Sequence, residues 1–516
     1  MGAGKLIVIY DDGDDTISEG KLTAPVVIIC IAVASAGFMF GYNMGVFGGI
    51  TAMEPFLRAF FPKVLDNVMR PKQKQDQFCT FVSSELASYT CSLYAAGMIS
   101  ALIAGLLTSS AGRKGALIIG GMLYLIGTCL QTIAVNLYIL TLGRLIAGFG
   151  IGFTNQAAPI YLCEMAPATW RGAIGTGFQF FGALGVHIAN LVTFFLMPHT
   201  DKSWRIAIAL SAFPATIMTV IAFFIPDTPS SLIQRGKLQE ALKSLNQVRT
   251  TGTNNANELR YLIKYYEAVR AASEKSYQIL WERRYRPYLV MAIAIPSFHQ
   301  LTGINLYGGL GFIIFSSLRT SFSLTYLIAF TVSTAIVLSL LVATILIDKT
   351  GRRFLLLQGS CQIFICHVVF AILMVNERDS AQYLSKGAAI VGLLLTVLVG
   401  SAFAWSWGTM LWILPTEILP LEVRSSGLGL CIAFNFMFQI ITTQTSSPML
   451  CHFKFGVFLY YAVWVMIMTI FVVLFLPETK RIPLELMDKI WHTHWYWHRF
   501  VDETMLESQV NELSSS

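Results

Sequence analysis

"PIYLCEMAPATWRG" (159–172) has a counterpart far along the chain, "PTEILPLEVRSSG" (415–427), and the pairing decides how the molecule is built. Two more pairs keep nearly the same distance: "AGRKG" (111–115) with "TGRRF" (350–354), and "PDTP" (226–229) with "PETK" (477–480). The offsets from Arg113 to Arg352, Glu164 to Glu417 and Asp227 to Glu478 are 239, 253 and 251 residues. Membrane orientation alone produces charged turns, but three pairs at nearly one period point to a duplicated unit.

The rest of the chain says what is duplicated. Of 516 residues, 55% are hydrophobic and only 13% charged, too apolar for a soluble globule. The apolar residues fall in runs of about twenty, the length a helix needs to cross the hydrocarbon layer, and not in the alternating segments of a barrel. Twelve runs are predicted as spans: 24–48, 84–109, 115–135, 137–157, 172–196, 203–226, 287–315, 323–347, 354–375, 386–413, 428–449 and 455–476. The expected fold is an all-α membrane protein of twelve transmembrane helices in two pseudo-repeated six-helix bundles. Parallel repeats of this kind belong to transporters that rock around a substrate held at mid-membrane between the halves.

Between the bundles, 227–286 carries eleven Lys/Arg against six acids, which assigns it to the cytoplasm. Its periodic stretches predict short amphipathic helices. The expected organisation is a cytoplasmic N-terminus (1–23), an N-terminal bundle (24–226) with an extracellular lid (50–83), a cytoplasmic linker (227–286), a C-terminal bundle (287–476) and a cytoplasmic tail (477–516). The first twenty residues are polar and acid-rich, so the first span is expected to serve as its own targeting signal. The net charge of +7 gathers beside helix ends, where it sets orientation, so nucleic acid is not an expected partner. Nine cysteines show no metal-ligand spacing, and no metal or other cofactor is expected.

The ordered set "FGYN" (40–43), "GRLIAGFGIGF", "YLCEMAP", "RGAIGTGFQ", "QLTGIN", "AFAWSWG", "PTEILPLEVR" and "FLPETKRIPLELM" resembles the sugar porters of the major facilitator superfamily. The likeness is to plant monosaccharide transporters of the sugar transport protein type. It covers nearly the whole chain and implies a secondary transporter, not an enzyme, that moves hexose across the plasma membrane, usually with a proton. It also implies sugar contacts from Gln179, Gln300, Asn305 and Trp412. His299 stands where the family has the first of two adjacent glutamines and is expected to line the site with them, since an imidazole still bonds a hydroxyl. Amides both donate and accept, as hydroxyls do, and an indole face suits the apolar side of a pyranose ring. Amides bonding helix to helix are the plainer alternative. Arg113, Arg171, Arg352 and Arg424 are expected opposite Glu164 and Glu417, in ion pairs that hold the halves together on the cytoplasmic side. The resemblance further implies a disulfide between Cys79 in the lid and Cys451 in the other half.

Several positions depart from that pattern. Asn43 stands where proton-coupled members carry Asp, near the arginine that Arg144 matches. An amide cannot titrate. This favours a facilitative uniporter, as in animal carriers that resemble the chain in having "FGYN". His187, His299 and His367 fall within spans and read as packed side chains more readily than as replacement proton carriers. Ile336 replaces a sugar-binding Asn of the eighth span. Leu310 and Phe312 alter the outer seventh helix, with Gly308, Gly309 and Gly311 nearby. Thr409 and Leu411 replace a Pro and a Gly of the tenth span, so its helix break is expected to change. These losses motivate a further alternative, a transport-impaired sugar sensor or regulator. Neither the particular sugar nor the oligomeric state is encoded in any of these motifs.

Overall fold

The computed structural model describes residues 22–51, 53–69, 83–167, 169–196, 201–248, 276–307, 322–376, 385–480 and 487–501, with positions 263 and 482. Twelve helices among them are long and apolar enough to cross a bilayer. In chain order they are α1 (Ala24–Ile50), α2 (Ser84–Ser110), α3 (Gly112–Thr132), α4 (Leu137–Met165), α5 (Arg171–Leu196) and α6 (Ser203–Phe224). The second set is α7 (Arg283–Tyr307), α8 (Ala329–Thr350), α9 (Arg352–Val375), α10 (Gly387–Ile418), α11 (Leu421–Ser446) and α12 (Gly456–Phe475). No strand occurs among the described residues.

Some helix ends differ from the apolar runs, for physical reasons. α4 continues through "PIYLCEM" to Met165, well past the predicted 157, with Pro159 inside it. Residues 150–163 are all buried, so packing compensates for the lost backbone bond. α10 likewise runs to Ile418 with Pro415 inside. Its expected break takes another form: residues Ala404–Gly408 make a π-helical turn, and Thr409 Oγ1 donates to Ala404 O at 2.6 Å. A π-turn interrupts the regular helix without a proline. Positions 308–312 lie outside the described residues.

The two halves pack by one scheme. In the first, α1 lies on α5, α2 on α4, and α3 on both α4 and α6. Adding six to every number gives the second: α7 on α11, α8 on α10, and α9 on both α10 and α12. Contacts between halves obey the same rule, since α2 meets α11 and α5 meets α8. The first of these becomes the second when the halves are exchanged. The duplicated motifs therefore correspond to a pseudo-twofold arrangement of helices.

Close approach depends on glycine where two backbones touch. Along α1, Gly37, Gly41, Gly45 and Gly49 recur every fourth residue and face α5. A Cβ at Gly41 would lie 1.8 Å from the carbonyl oxygen of Gly182, and one at Gly37 2.1 Å from that of Phe178. In hydrocarbon, where burial gives helices little reason to associate, such small-residue seams supply the van der Waals contact that does. The described part of the region after α1 folds as helices Glu54–Phe60 and Pro62–Met69. Phe56 and Phe60 pack on Trp204, and Phe61 on Tyr89, so this region docks on its own half.

Candidate functional site

At one end of the bundle the repeated turns build two matching polar clusters. Gly112 and Gly351 both have positive φ, +81° and +96°, which glycine adopts without strain. These turns bring α3 and α9 onto acids from beyond the sixth and twelfth spans. Asp227 accepts from Lys114 N at 3.2 Å, and Glu478 accepts from Arg352 N and Arg353 N at 3.0 and 3.1 Å. Both carboxylates cap helix N-termini, where the orphan amides and the dipole favour negative charge. Arg113 donates to Glu164 at 2.9 Å while Thr228 donates to the other oxygen at 2.6 Å. In the second half Arg352 donates to Glu417 at 2.7 and 3.2 Å, and Thr479 donates at 2.9 Å.

The expected pairing across the halves needs correction. Arg113–Glu164 and Arg352–Glu417 both lie within a half, because each arginine begins the helix packed against its own glutamate. Among the described residues, only Arg424 of the four predicted arginines reaches an acid of the other half, at 3.6 Å from Glu164. Arg171 pairs with neither glutamate and donates instead to Ile482 O at 3.3 Å. The halves are joined at this end by other groups. Asp348 accepts from Ala173 N at 2.8 Å, Thr176 and Thr344 share a bond of 2.8 Å, and Gln156 donates to Ser425 O at 3.0 Å. The linker adds Tyr277, whose hydroxyl donates to Leu102 O at 2.8 Å beside Gly429 of α11. Burial pushes the Tyr277 phenol up, which keeps it a donor.

Deeper in the bundle the predicted amides converge. Asn305 donates to Gln300 Oε1 at 2.9 Å, and Gln300 donates to Asn435 Oδ1 at 2.8 Å. Asn305 also donates to Thr442 at 3.1 Å. Across the halves, Trp412 donates its indole N–H to Gln179 Oε1 at 2.7 Å. The indole ring lies 4.5 Å from Phe178 and 6.3 Å from Phe40, centroid to centroid. These amides satisfy one another, so each bond is one that a ligand hydroxyl can replace in kind.

His299 stands apart from this cluster. Its neighbour Gln300 points into it, and successive helix residues point about 100° apart, so the imidazole faces Phe403 of α10 at 5.0 Å. Of the other two membrane histidines, His187 bonds Ser333 of the other half at 2.9 Å and His367 bonds Ile363 O of its own helix at 2.8 Å. Ile336 packs against the buried cluster of Ala183, Leu340 and Ala404 and lies against Gly400 of α10.

Asn43 and Arg144 meet at another point in the first half. Asn43 donates to the Tyr124 hydroxyl at 3.3 Å. The guanidinium carbon of Arg144 sits 3.8 Å from the Phe47 ring centre and 5.0 Å from that of Tyr89. Seven cysteines are free and Cys451 is disulfide-bonded; Cys79 lies outside the described residues.

With this geometry in hand, comparison with known proteins decides the family. The family described as "Sugar (and other) transporter" matches residues 29–491. The chain belongs to the sugar transporter family. "Sugar transport protein 5" of Arabidopsis thaliana is 42% identical over 494 residues, 94% of this chain and 96% of the relative. "Hexose carrier protein HEX6" of Ricinus communis is 40% identical over 95% of this chain and 96% of the relative. A solved structure of the major facilitator superfamily proton:xylose symporter XylE with 6-bromo-6-deoxy-D-glucose superposes with a TM-score of 0.76. It is 21% identical and the match covers 91% of this chain and all of that one, so it shows a shared fold.

Sequence reasoning missed Asn435, Thr442, Asp348, Thr228 and Thr479. Thr228 and Thr479 each directly follow their motif acid, 251 residues apart, and were legible in "PDTP" and "PETK". Asn435 carries a weaker signal, as an amide within the apolar "CIAFNFMF" (431–438).

Proposed function

We propose that this member of the family carries a monosaccharide, a hexose, across the plasma membrane by alternating access. The observation that supports it most is the Trp412–Gln179 bond, which joins the halves, together with the Gln300–Asn305–Asn435 amides bonded to one another in the second half. Amides that bond to one another can exchange those bonds for sugar hydroxyls at little cost, because donors and acceptors balance. The ring faces around Trp412 suit the apolar side of a pyranose. Sugar contact is assigned to Gln179, Gln300, Asn305 and Trp412, with Asn435 added; His299 acts from behind, through Phe403.

In this reading both termini and the repeated turns are cytoplasmic, and Arg113, Glu164, Arg171, Arg352, Glu417 and Arg424 gate that side. Cys451 ties the lid to the second half through Cys79. Proton symport is the mode the family likeness suggests. One observation favours a second mode: Asn43 does not titrate and bonds Tyr124, so the Asn43–Arg144 pair provides no proton carrier and facilitated diffusion follows.

Labelled glucose uptake in cells lacking their own hexose carriers, at two pH values and with a protonophore, tests both statements. Accumulation that collapses with the protonophore rejects the uniport mode. Equilibration indifferent to pH rejects symport. No flux despite surface expression rejects transport and leaves a sensor.

A further inference from the structure

Among the described residues, none offers a counter-charge to Arg144. It is 2% exposed inside α4, and its Nε and Nη2 have no hydrogen-bond partner. The ion pairs of the described residues use Arg58, Arg113, Arg235, Arg352 and Arg424, and none of them uses Arg144. The rings of Phe47 and Tyr89 contribute cation–π attraction, which offsets part of the desolvation cost of a buried ion but brings no negative charge.

Next to it lies a cavity of about 10 Å³ lined by Arg144, Asn43, Gln131 and Ser211 with apolar side chains of α1 and α6. Gln131 and Ser211 already donate to the carbonyls of Gly127 and Ile208. Gln131 keeps a second N–H, so the donors open to a guest are those of Arg144 and Asn43, with Gln131 beside them. Asn43 Oδ1 is itself buried and without a partner. Turning the amide over lets Oδ1 accept from the Tyr124 hydroxyl, which donates as readily as it accepts, and aims the two N–H donors of Nδ2 at the unsatisfied side.

We propose that this cavity binds a single small inorganic anion, chloride, between the Arg144 guanidinium and the Asn43 amide. The charge argument selects an anion over water: a water molecule satisfies hydrogen bonds but leaves the guanidinium uncompensated. The small space favours a monatomic anion over phosphate or an organic carboxylate. The chloride supplies from solution the negative charge that an acidic side chain at position 43 would supply from the chain. The inference does not depend on which sugar is carried or on transport itself.

The test is thermal unfolding of the purified full-length protein in lipid nanodiscs, titrating chloride against gluconate at constant ionic strength. The expected result is a saturable rise in Tm of about 2 °C, reproduced by bromide and abolished in Asn43→Asp, which brings its own carboxylate. An unchanged Tm in wild type, or an equal rise in Asn43→Asp, overturns the proposal. Should Asn43→Asp fail to fold, crystals grown with bromide decide the matter. An anomalous peak within hydrogen-bonding reach of Arg144 supports the site, and density there without anomalous signal means water and overturns it.

Discussion

The indole N–H of Trp412 in α10 donates to Oε1 of Gln179 in α5 at 2.7 Å, so a side chain of one half is held by a side chain of the other. Trp412→Phe keeps an aromatic face against Phe178 and removes only the donor. One hydrogen bond contributes about 1 kcal/mol, so KM for the hexose is expected to rise roughly fivefold while surface expression holds. Concentration-dependent uptake of labelled glucose measures this. An unchanged KM would reduce the indole to a packing element.

That relationship also shows how far the sequence could be read. The helix count, the repeat and the polar residues Gln179, Gln300, Asn305 and Trp412 were all legible, because an amide in an apolar run is costly unless something pairs with it. Which group pairs with which was not. Arg113 lies closer to Glu164 of its own half than to Glu417 because α3 packs on α4, and that contact has no local trace in "AGRKG". His299 and Gln300 are adjacent in sequence, and only the helix rotation separates their surroundings. The π-turn at Ala404–Gly408 replaces a proline break and leaves no proline to find.

The two motif glutamates give a paired prediction. Glu164→Gln leaves the nearly fully buried Arg113 without its carboxylate, at an expected cost of about 3 kcal/mol or more. Glu417→Gln should cost less, because Asp348 still lies 3.0 Å from Arg352. Both variants should unfold at lower temperature than wild type. Only Glu164 also lies near Arg424 of the other half, at 3.6 Å, so Glu164→Gln alone should loosen that junction. Labelling of a cysteine introduced at Ser425 with a membrane-impermeant thiol reagent reads this out. Equal labelling in the two variants would assign both glutamates a purely local role.

The glycine seam of α1 contains its own control. Gly41→Ala would push a Cβ to 1.8 Å from the Gly182 carbonyl oxygen, which backbone cannot evade without separating α1 from α5. Gly48 has nothing within 4 Å of the same construction, and Gly48→Ala should change stability by no more than about 0.5 kcal/mol. Fluorescence-detected size exclusion on heated samples compares them directly. If Gly41→Ala were as stable as Gly48→Ala, the close α1–α5 approach would not be a requirement of the fold.

Asn43→Asp converts a group that holds no exchangeable charge into one that does, beside an arginine lacking a carboxylate partner. Wild-type uptake is expected to equilibrate the sugar and to vary little between pH 5.5 and 7.5 (both values roughly set to bracket ordinary histidine titration). In Asn43→Asp, the ionised carboxylate is attracted to Arg144 and protonation releases it, so uptake should rise as the outside pH falls. The variant is also expected to acquire sensitivity to a protonophore. If wild type already accumulates sugar against its gradient and loses that ability with the protonophore, the proton must be carried elsewhere. His187 is then the first residue to replace, because it sits at the α5–α8 junction between the halves and bonds Ser333 across it.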